Sequence, residues 1–297
     1  GEWRAVKGSQ YFESHLLYKE NGFNKKEDAQ KLIDELKIEP PAVKAVICKA
    51  EKKKEKKNPP LLFNLAELQN TCSKLFKISP DETLKIVQEL YEKKLVTYPR
   101  TDARVLSTAV AKEIHKNISG LRNYALVRDI ASGILEAQSY KGIEKTKYVN
   151  DKQITDHYAI VPTGQGFGAM RSLSPLCMKI YEVIARRFLS IFYPPAVYQK
   201  VSITTKIKEE SFFSNFKVLA EEGYLKVVGT GNAGKQDSES DMDMNFFELL
   251  QTVKKGTVLP VKELTIKEGE TSPPKRYNSG SIILAMENAG QLIEDED

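Results

Sequence analysis

With 297 residues, 41% of them hydrophobic and 29% charged, the chain has the make-up of an ordinary folded protein and the length for about two domains. No apolar run approaches the ~20 residues of a membrane span, and no leader-like start is present, so a cytoplasmic location is expected. The formal charge of +5 permits nucleic-acid binding without arguing for it, because Lys and Arg are spread along the chain. Cys48, Cys72 and Cys177 are odd in number and form no CxxC pair, which argues against a disulfide framework and a zinc site.

Residues 2–23 mix aromatic and β-branched residues with turn formers and read as two short strands. Asn24 with Glu27 suggests a capping box for a helix carrying Ala29, Leu32, Ile33 and Leu36, ended by Pro40-Pro41. Val43, Ala45 and Ile47 alternate as a further strand, and the charge run Glu51–Lys57 reads as a solvated loop. After Pro59-Pro60 the pattern becomes helical. Asn64 and Glu67 cap a helix with Leu65, Leu68, Cys72 and Leu75 on one face, and Ser79-Pro80 opens the next, with Leu84, Val87 and Tyr91 inward. Further helices are expected from Ser107, over Asn123–Gln138, and from Ser174-Pro175 to Pro194-Pro195. Period-two alternation then returns at Val197–Ile207, with strands expected at Phe212–Leu219, Tyr224–Val228 and Thr257–Ile266. The stretch Gly229–Asp243 reads as a surface loop, and Ile282, Ile283 and Met286 begin a last helix.

The expected fold class is therefore α+β and multidomain. A helical domain (61–195) is inserted into a β-rich domain built from 1–60 and 196–268, with a double proline at each junction, and 269–297 begins a further domain. Side-by-side junctions would let the helical domain swing as a unit.

At the exit of the helix opened by Ser79-Pro80 stands Leu95-Val96-Thr97-Tyr98-Pro99-Arg100-Thr101-Asp102. Pro99 fixes its own φ and pushes Tyr98 out of the α region. In an extended segment Tyr98, Arg100 and Asp102 share a face. A phenol titrates near pH 10 when unperturbed, so one that attacks a phosphodiester needs positive charge beside it. A guanidinium supplies that charge and grips phosphate oxygens in pairs. The octapeptide alone fits a tyrosine nucleophile with an arginine clamp, and equally a strand end with a surface Arg-Asp pair.

The run Lys94–Asp102 resembles the active-site tyrosine motif of type IA DNA topoisomerases, in the form with proline after tyrosine found in the bacterial topoisomerase III branch. Thr155-Asp156-His157-Tyr158-Ala159-Ile160-Val161-Pro162-Thr163 is similar to that family's histidine motif. Pro60–Gln69 with Glu82–Glu92 agrees, and so does Ser272–Tyr277 with Ala285–Gly290, so the resemblance runs from about residue 40 onward. It implies a helical domain carrying the tyrosine, joined to a β-rich arch that acts as a gate. It implies that Tyr98 attacks one strand of DNA, forms a 5′-phosphotyrosine link and frees a 3′-hydroxyl, with resealing that needs no ATP. Arg100 aligns with the arginine that holds the scissile phosphate, while Thr97, Thr101, Asp102, His157, Gln88 and Glu92 align with DNA-contacting or supporting positions. Single-stranded DNA is the implied partner. Mg²⁺ is the implied cofactor, held by an acidic domain expected before residue 1, so no metal is expected on this chain and the chain alone is expected to be inactive. Gly1 at the start and Glu294-Asp295-Glu296-Asp297 at the end also read as the limits of a segment from a longer protein. Asn278-Ser279-Gly280 departs from the family's final motif, where an acid and alanine are usual.

Other readings are weaker. A tyrosine recombinase needs His-x-x-Arg, and none of His15, His115 or His157 has Arg three residues on. Gly164-Gln165-Gly166-Phe167-Gly168 lacks the strand–loop–helix setting of a nucleotide loop, and Asp241-Met242-Asp243 lacks the preceding apolar strand of a metal site. A non-catalytic single-strand-binding module remains the alternative of a different class.

Overall fold

A computed structural model describes residues 1–37, 44–229 and 244–289. The chain opens with β1 (Glu2–Arg4), β2 (Leu17–Lys19), β3 (Gly22–Phe23), α1 (Lys26–Leu36) and β4 (Lys44–Lys57). Helices α2 (Leu65–Phe76), α3 (Pro80–Glu92), α4 (Thr108–Leu121), α5 (Arg128–Glu136) and α6 (Pro175–Ser190) follow. Then come β5 (Ala196–Ile207), β6 (Glu210–Glu221), α7 (Leu225–Val228), α8 (Met244–Thr252), β7 (Val258–Pro260) and α9 (Ser279–Glu287).

The chain divides into two compact units. The described residues of 1–57, 197–221 and 235–273 form one, and those of 58–196, 222–234 and 274–297 form the other. The first is built on a sheet of order β1-β6-β5-β4-β7, in which the β1–β6, β5–β6 and β4–β7 pairs are antiparallel. Buried Glu210 anchors the chain start to it, accepting from Trp3 Nε1 (2.7 Å), Ser9 Oγ (2.7 Å) and the Gln10 amide (3.1 Å). Three donors satisfy a carboxylate whose burial would otherwise be costly.

Several elements differ from expectation. The charge run Glu51–Lys57 is the second half of β4 rather than a loop. Backbone pairing inside the sheet holds it, and Glu55 joins Lys200 and Lys217 in ion pairs. The hydrogen bond from Lys200 holds the Glu55 carboxyl below the usual carboxylate range. Asn24 caps nothing: α1 starts at Lys26 after an extended Lys25, without a side-chain cap, and the Asn24 amide donates to the His15 carbonyl. Tyr224–Val228 is a helical turn, not a strand, because Gly223 turns at φ +51° and Arg186 Nη1 captures the Val227 carbonyl at 2.9 Å. The strand expected over Thr257–Ile266 is confined to Val258–Pro260, where proline removes the next ladder donor. The expected helix Asn123–Gln138 shortens to α5, its first residues being turns closed by Tyr124 N–H to Leu121 O and Val127 N–H to Tyr124 O. Helix α8 went unread because it follows a Gly/Ser/Asp-rich stretch; Phe247 and Leu250 bury it against Ile47, Val201 and Val218. The loop expected at Gly229–Asp243 lies, beyond Gly229, outside the described residues, as does Asp241-Met242-Asp243.

The helical unit has its own core, with Leu62, Phe63, Leu68, Leu90, Leu95, Ile114 and Phe188 all buried. The N-caps read from the sequence form: Asn64, Ser79, Ser107 and Ser174 each accept from a first-turn amide. On α3 the inward face is Thr83, Val87 and Leu90, while Tyr91 is 39% exposed. Residues 222–229 and α9 group with this unit, whereas the sequence reading gave them to the β domain and to a further domain. Asn278 caps α9 in a reciprocal box with Ser281, and Gly280 lies against α2, where a Cβ would meet Asn70 Cα at 3.0 Å. The residues that depart from the family pattern thus form a cap and a close helix crossing.

Gly164 and Gly166 have a packing role as well. At Gly166, φ is +79° and a Cβ would fall 2.3 Å from the Lys93 carbonyl oxygen, whereas at Gly168 nothing lies within 4 Å. Gly166→Ala should therefore cost about 1–3 kcal/mol in urea unfolding, from overpacking and strain together. Gly168→Ala should stay within about 0.5 kcal/mol of the parent. Equal effects at the two positions would refute this packing account.

Candidate active site around Tyr98

Helix α3 ends in a Schellman cap. Leu95 N–H donates to Leu90 O at 2.9 Å and Lys94 N–H to Tyr91 O at 2.8 Å. Lys94 takes the left-handed position, φ +62°, where glycine is usual and an L side chain costs about 1–2 kcal/mol. The chain then runs antiparallel to the segment holding His157. Val96 bridges Pro162, Thr97 N–H donates to Val161 O at 3.0 Å, and Thr163 N–H donates to Leu95 O at 3.0 Å.

Two threonines clasp the segments. Thr97 Oγ1 donates to Ala159 O and accepts from Val161 N–H, both at 2.9 Å. Thr101 Oγ1 donates to His157 O at 2.7 Å and accepts from Ala103 N–H at 3.1 Å. The buried Asn64 amide donates to Asp102 O at 3.1 Å. Behind it, the partly buried Arg187 donates to Leu61 O at 2.9 Å and stacks on Phe63, 4.1 Å from the ring centre. Burial pulls its guanidinium down to about 10, against the attraction of Glu67.

Burial alternates along this segment. Pro99, Thr101 and Ala103 are buried, Arg100 and Asp102 are exposed, and Tyr98 is half-buried. The shared outward side of Tyr98, Arg100 and Asp102 follows. The Tyr98 ring is fixed on two sides: Tyr91 meets it edge-on at 5.4 Å and His157 lies tilted over it at 4.4 Å. Its hydroxyl makes no hydrogen bond among the described residues. Tyr98 lines a cleft of about 570 Å³ together with Thr97, His157, Glu92 and Lys94.

The predicted residues thus fall into groups. Tyr98, Thr97, His157 and Glu92 come together in the cleft. Gln88 stands one turn back and reaches it only through its 3.2 Å hydrogen bond to Glu92. Thr101 is buried and acts on the His157 backbone. Arg100 and Asp102 lie on the exposed side, and their side chains make no hydrogen bond or ion pair among the described residues. Sequence reasoning missed Tyr91, Lys94, Tyr158 and Gln165, which also line the cleft. Helical periodicity assigned Tyr91 to the core, and nothing in the sequence marks Lys94 as left-handed. Burial raises the Tyr158 phenol above its ordinary value, so this neighbouring hydroxyl stays protonated. Among the described residues no three His, Cys, Asp or Glu side chains converge on a point. No described helix is long and apolar enough to cross a membrane.

Thr97→Val keeps the shape but strips Val161 N–H and Ala159 O of a partner, so a loss of about 1–3 kcal/mol is expected in urea unfolding. A loss under about 0.5 kcal/mol would mean that water replaces the clasp. Lys94→Gly should leave stability unchanged or raise it by up to ~1 kcal/mol, relief of the left-handed strain outweighing the extra freedom of glycine when unfolded. A clear drop in melting temperature would instead assign the lysine stem a packing role.

A DNA topoisomerase family model matches residues 3–291. The chain is 34% identical over 255 residues to DNA topoisomerase 3 of Bacillus subtilis, covering 85% of this chain and 34% of that protein. It is 36% identical to DNA topoisomerase 3 of Bacillus licheniformis, with 85% and 33% covered. It therefore spans about a third of the length of these relatives. The fold resembles that of full-length topoisomerase I from Thermotoga maritima, with a TM-score of 0.60 and 23% identity over 92% of this chain and 41% of that one. The chain belongs to the DNA topoisomerase family, as a type IA, topoisomerase III-like member.

Proposed function

We propose that the chain carries the tyrosine of a type IA topoisomerase, cutting and rejoining one strand of DNA at Tyr98. The observation that supports this best is a phenol ring held from two sides whose hydroxyl bonds to no protein group among the described residues. A tyrosine recruited for packing is expected to be buried or hydrogen-bonded, as Tyr148 is with its 2.7 Å bond to Pro59 O. In the proposed step the Tyr98 oxygen attacks phosphorus and a new ester bond forms to the 5′ phosphate. The bond from phosphorus to the 3′ oxygen breaks, the phenol proton is lost, and the leaving oxygen takes a proton to become a hydroxyl. Resealing reverses each of these changes, so no net bond energy is consumed.

The side chains have distinct parts in this reading. Arg100, with no acidic partner among the described residues, takes phosphate oxygens in two parallel bonds. His157 orients the phenol ring and contacts the strand, and Lys94 adds a positive charge to the cleft. Glu92, steadied by Gln88, lines the same cleft. Thr97, Thr101 and Asp102 hold the backbone and the outward side of the segment. Because the chain spans about a third of its relatives' length, the reaction is proposed for the longer protein, with Mg²⁺ and its ligands supplied from outside the described residues.

The test joins the chain to the segments by which its relatives are longer and adds Mg²⁺ and labelled single-stranded DNA. A protein–DNA adduct that survives denaturant is expected, absent in Tyr98→Phe and at least tenfold reduced in Arg100→Ala. Single-strand binding that persists with no adduct, in parent and Tyr98→Phe alike, would replace this reading with a non-catalytic binding module.

A further inference from the structure

A second cleft, of about 580 Å³, lies at the corner of α4 and α5 and shares no residue with the cleft of Tyr98. Lys116, Arg122 and Arg128 line it, with His115 and Asn123. From residue 112 to 128 four cations, Lys112, Lys116, Arg122 and Arg128, stand against one carboxylate, Glu113. That carboxylate pairs with Lys116 at the exposed surface, an arrangement of little energetic weight. The next acid, Asp129, follows Arg128 directly in the chain.

The two arginines are oriented by uncharged groups. Arg122 donates to Ser119 Oγ at 3.0 Å and to Ser119 O at 3.4 Å. Arg128 Nε donates to Arg122 O at 3.0 Å. Neither forms an ion pair among the described residues. Neutral acceptors fix a guanidinium without cancelling its charge, and each arginine keeps several N–H donors for another group. Two such forks beside one another favour a planar or tetrahedral oxyanion, phosphate above all.

The cleft also stands directly behind the Tyr98 site. Gly120 on its wall abuts Gly164 so closely that a Cβ would come within 2.0 Å of the Gly164 carbonyl oxygen. Asn117 Nδ2 donates to Pro162 O at 2.9 Å. Gly164 lies between Thr163 and Gln165, and both of these line the Tyr98 cleft. Gly120, which lines one cleft, thus packs against the residue between two that line the other. An isolated small anion has no use for that adjacency, but a strand with regularly spaced phosphates does.

We infer that the α4–α5 cleft is a second phosphate site for the nucleic-acid strand, in which Arg122 and Arg128 take backbone phosphates beyond those held at Tyr98. This rests on the reading of the chain as a strand-handling protein. The test measures binding of a fluorescent single-stranded oligonucleotide by the full chain over a range of salt concentrations. Loss of two phosphate contacts in the double variant Arg122→Gln/Arg128→Gln should flatten the plot of log affinity against log salt by about 1.4. The double lysine variant should retain most of the slope. Asn123→Asp, which leaves both arginines and their hydrogen bonds in place, should weaken binding several-fold and so covers the case of a misfolded double variant. If the parent binds and these variants match it in affinity and slope, the second site is wrong while the Tyr98 reading stands. If the parent binds no single strand at any salt concentration, the second site is wrong, whereas the Tyr98 reading is decided by the adduct in the longer protein.

Discussion

One hydroxyl group closes the centre of this protein. Thr97 Oγ1 gives its proton to the Ala159 carbonyl and receives the Val161 amide, so a single side chain spans three residues of the opposing segment. The bonds before and after it, Thr163 N–H to Leu95 O and Thr101 Oγ1 to His157 O, extend the same seam. Two stretches about sixty residues apart in sequence are thereby set in one register, and the Tyr98 and His157 rings meet at 4.4 Å. Unpaired, the buried amides and carbonyls of this seam would each cost on the order of 1–3 kcal/mol, so register and ring contact stand or fall together.

The seam rests on helices whose starts are written plainly in the sequence. Asn64, Ser79, Ser107 and Ser174 cap as their residue types predict, because capping depends only on neighbours within one turn. The same locality explains the readings that failed. The Asn24–Glu27 pattern is equally local, but the helix begins one residue later than it predicts, with Lys25 rather than Asn24 at the N-cap position. Glu51–Lys57 has the composition of a loop, and only sheet neighbours distant in sequence make it a strand. Tyr91 obeys helical spacing and still stands half outside the core, since α3 turns Thr83 and Leu90 inward instead.

For the site, the period-two alternation of Tyr98, Arg100 and Asp102 could be foreseen from Pro99, which excludes helix at the residue before it. The approach of His157 could not be derived from residue types, because nothing in either segment specifies which distant backbone it will pair with. The left-handed lysine at the end of α3 was equally hidden. A sequence rule puts glycine there, and the exception becomes visible only as a dihedral angle. Gly164 and Gly166 show the reverse case, a phosphate-loop pattern whose glycines are needed for close backbone packing.

Asn64 ties the last described helix to this centre. Its side-chain oxygen caps α2, while its amide nitrogen donates to both the Asp102 carbonyl and the Glu287 carboxylate. The residue is almost fully enclosed with α9 in place. Helix α9 and the tyrosine segment therefore share a single molecular ledge, each completing the coordination of the other's support. Pulling α9 away from α2 would take one of the two acceptors from that nitrogen, so the backbone four residues past Tyr98 and the last described helix lean on the same amide group.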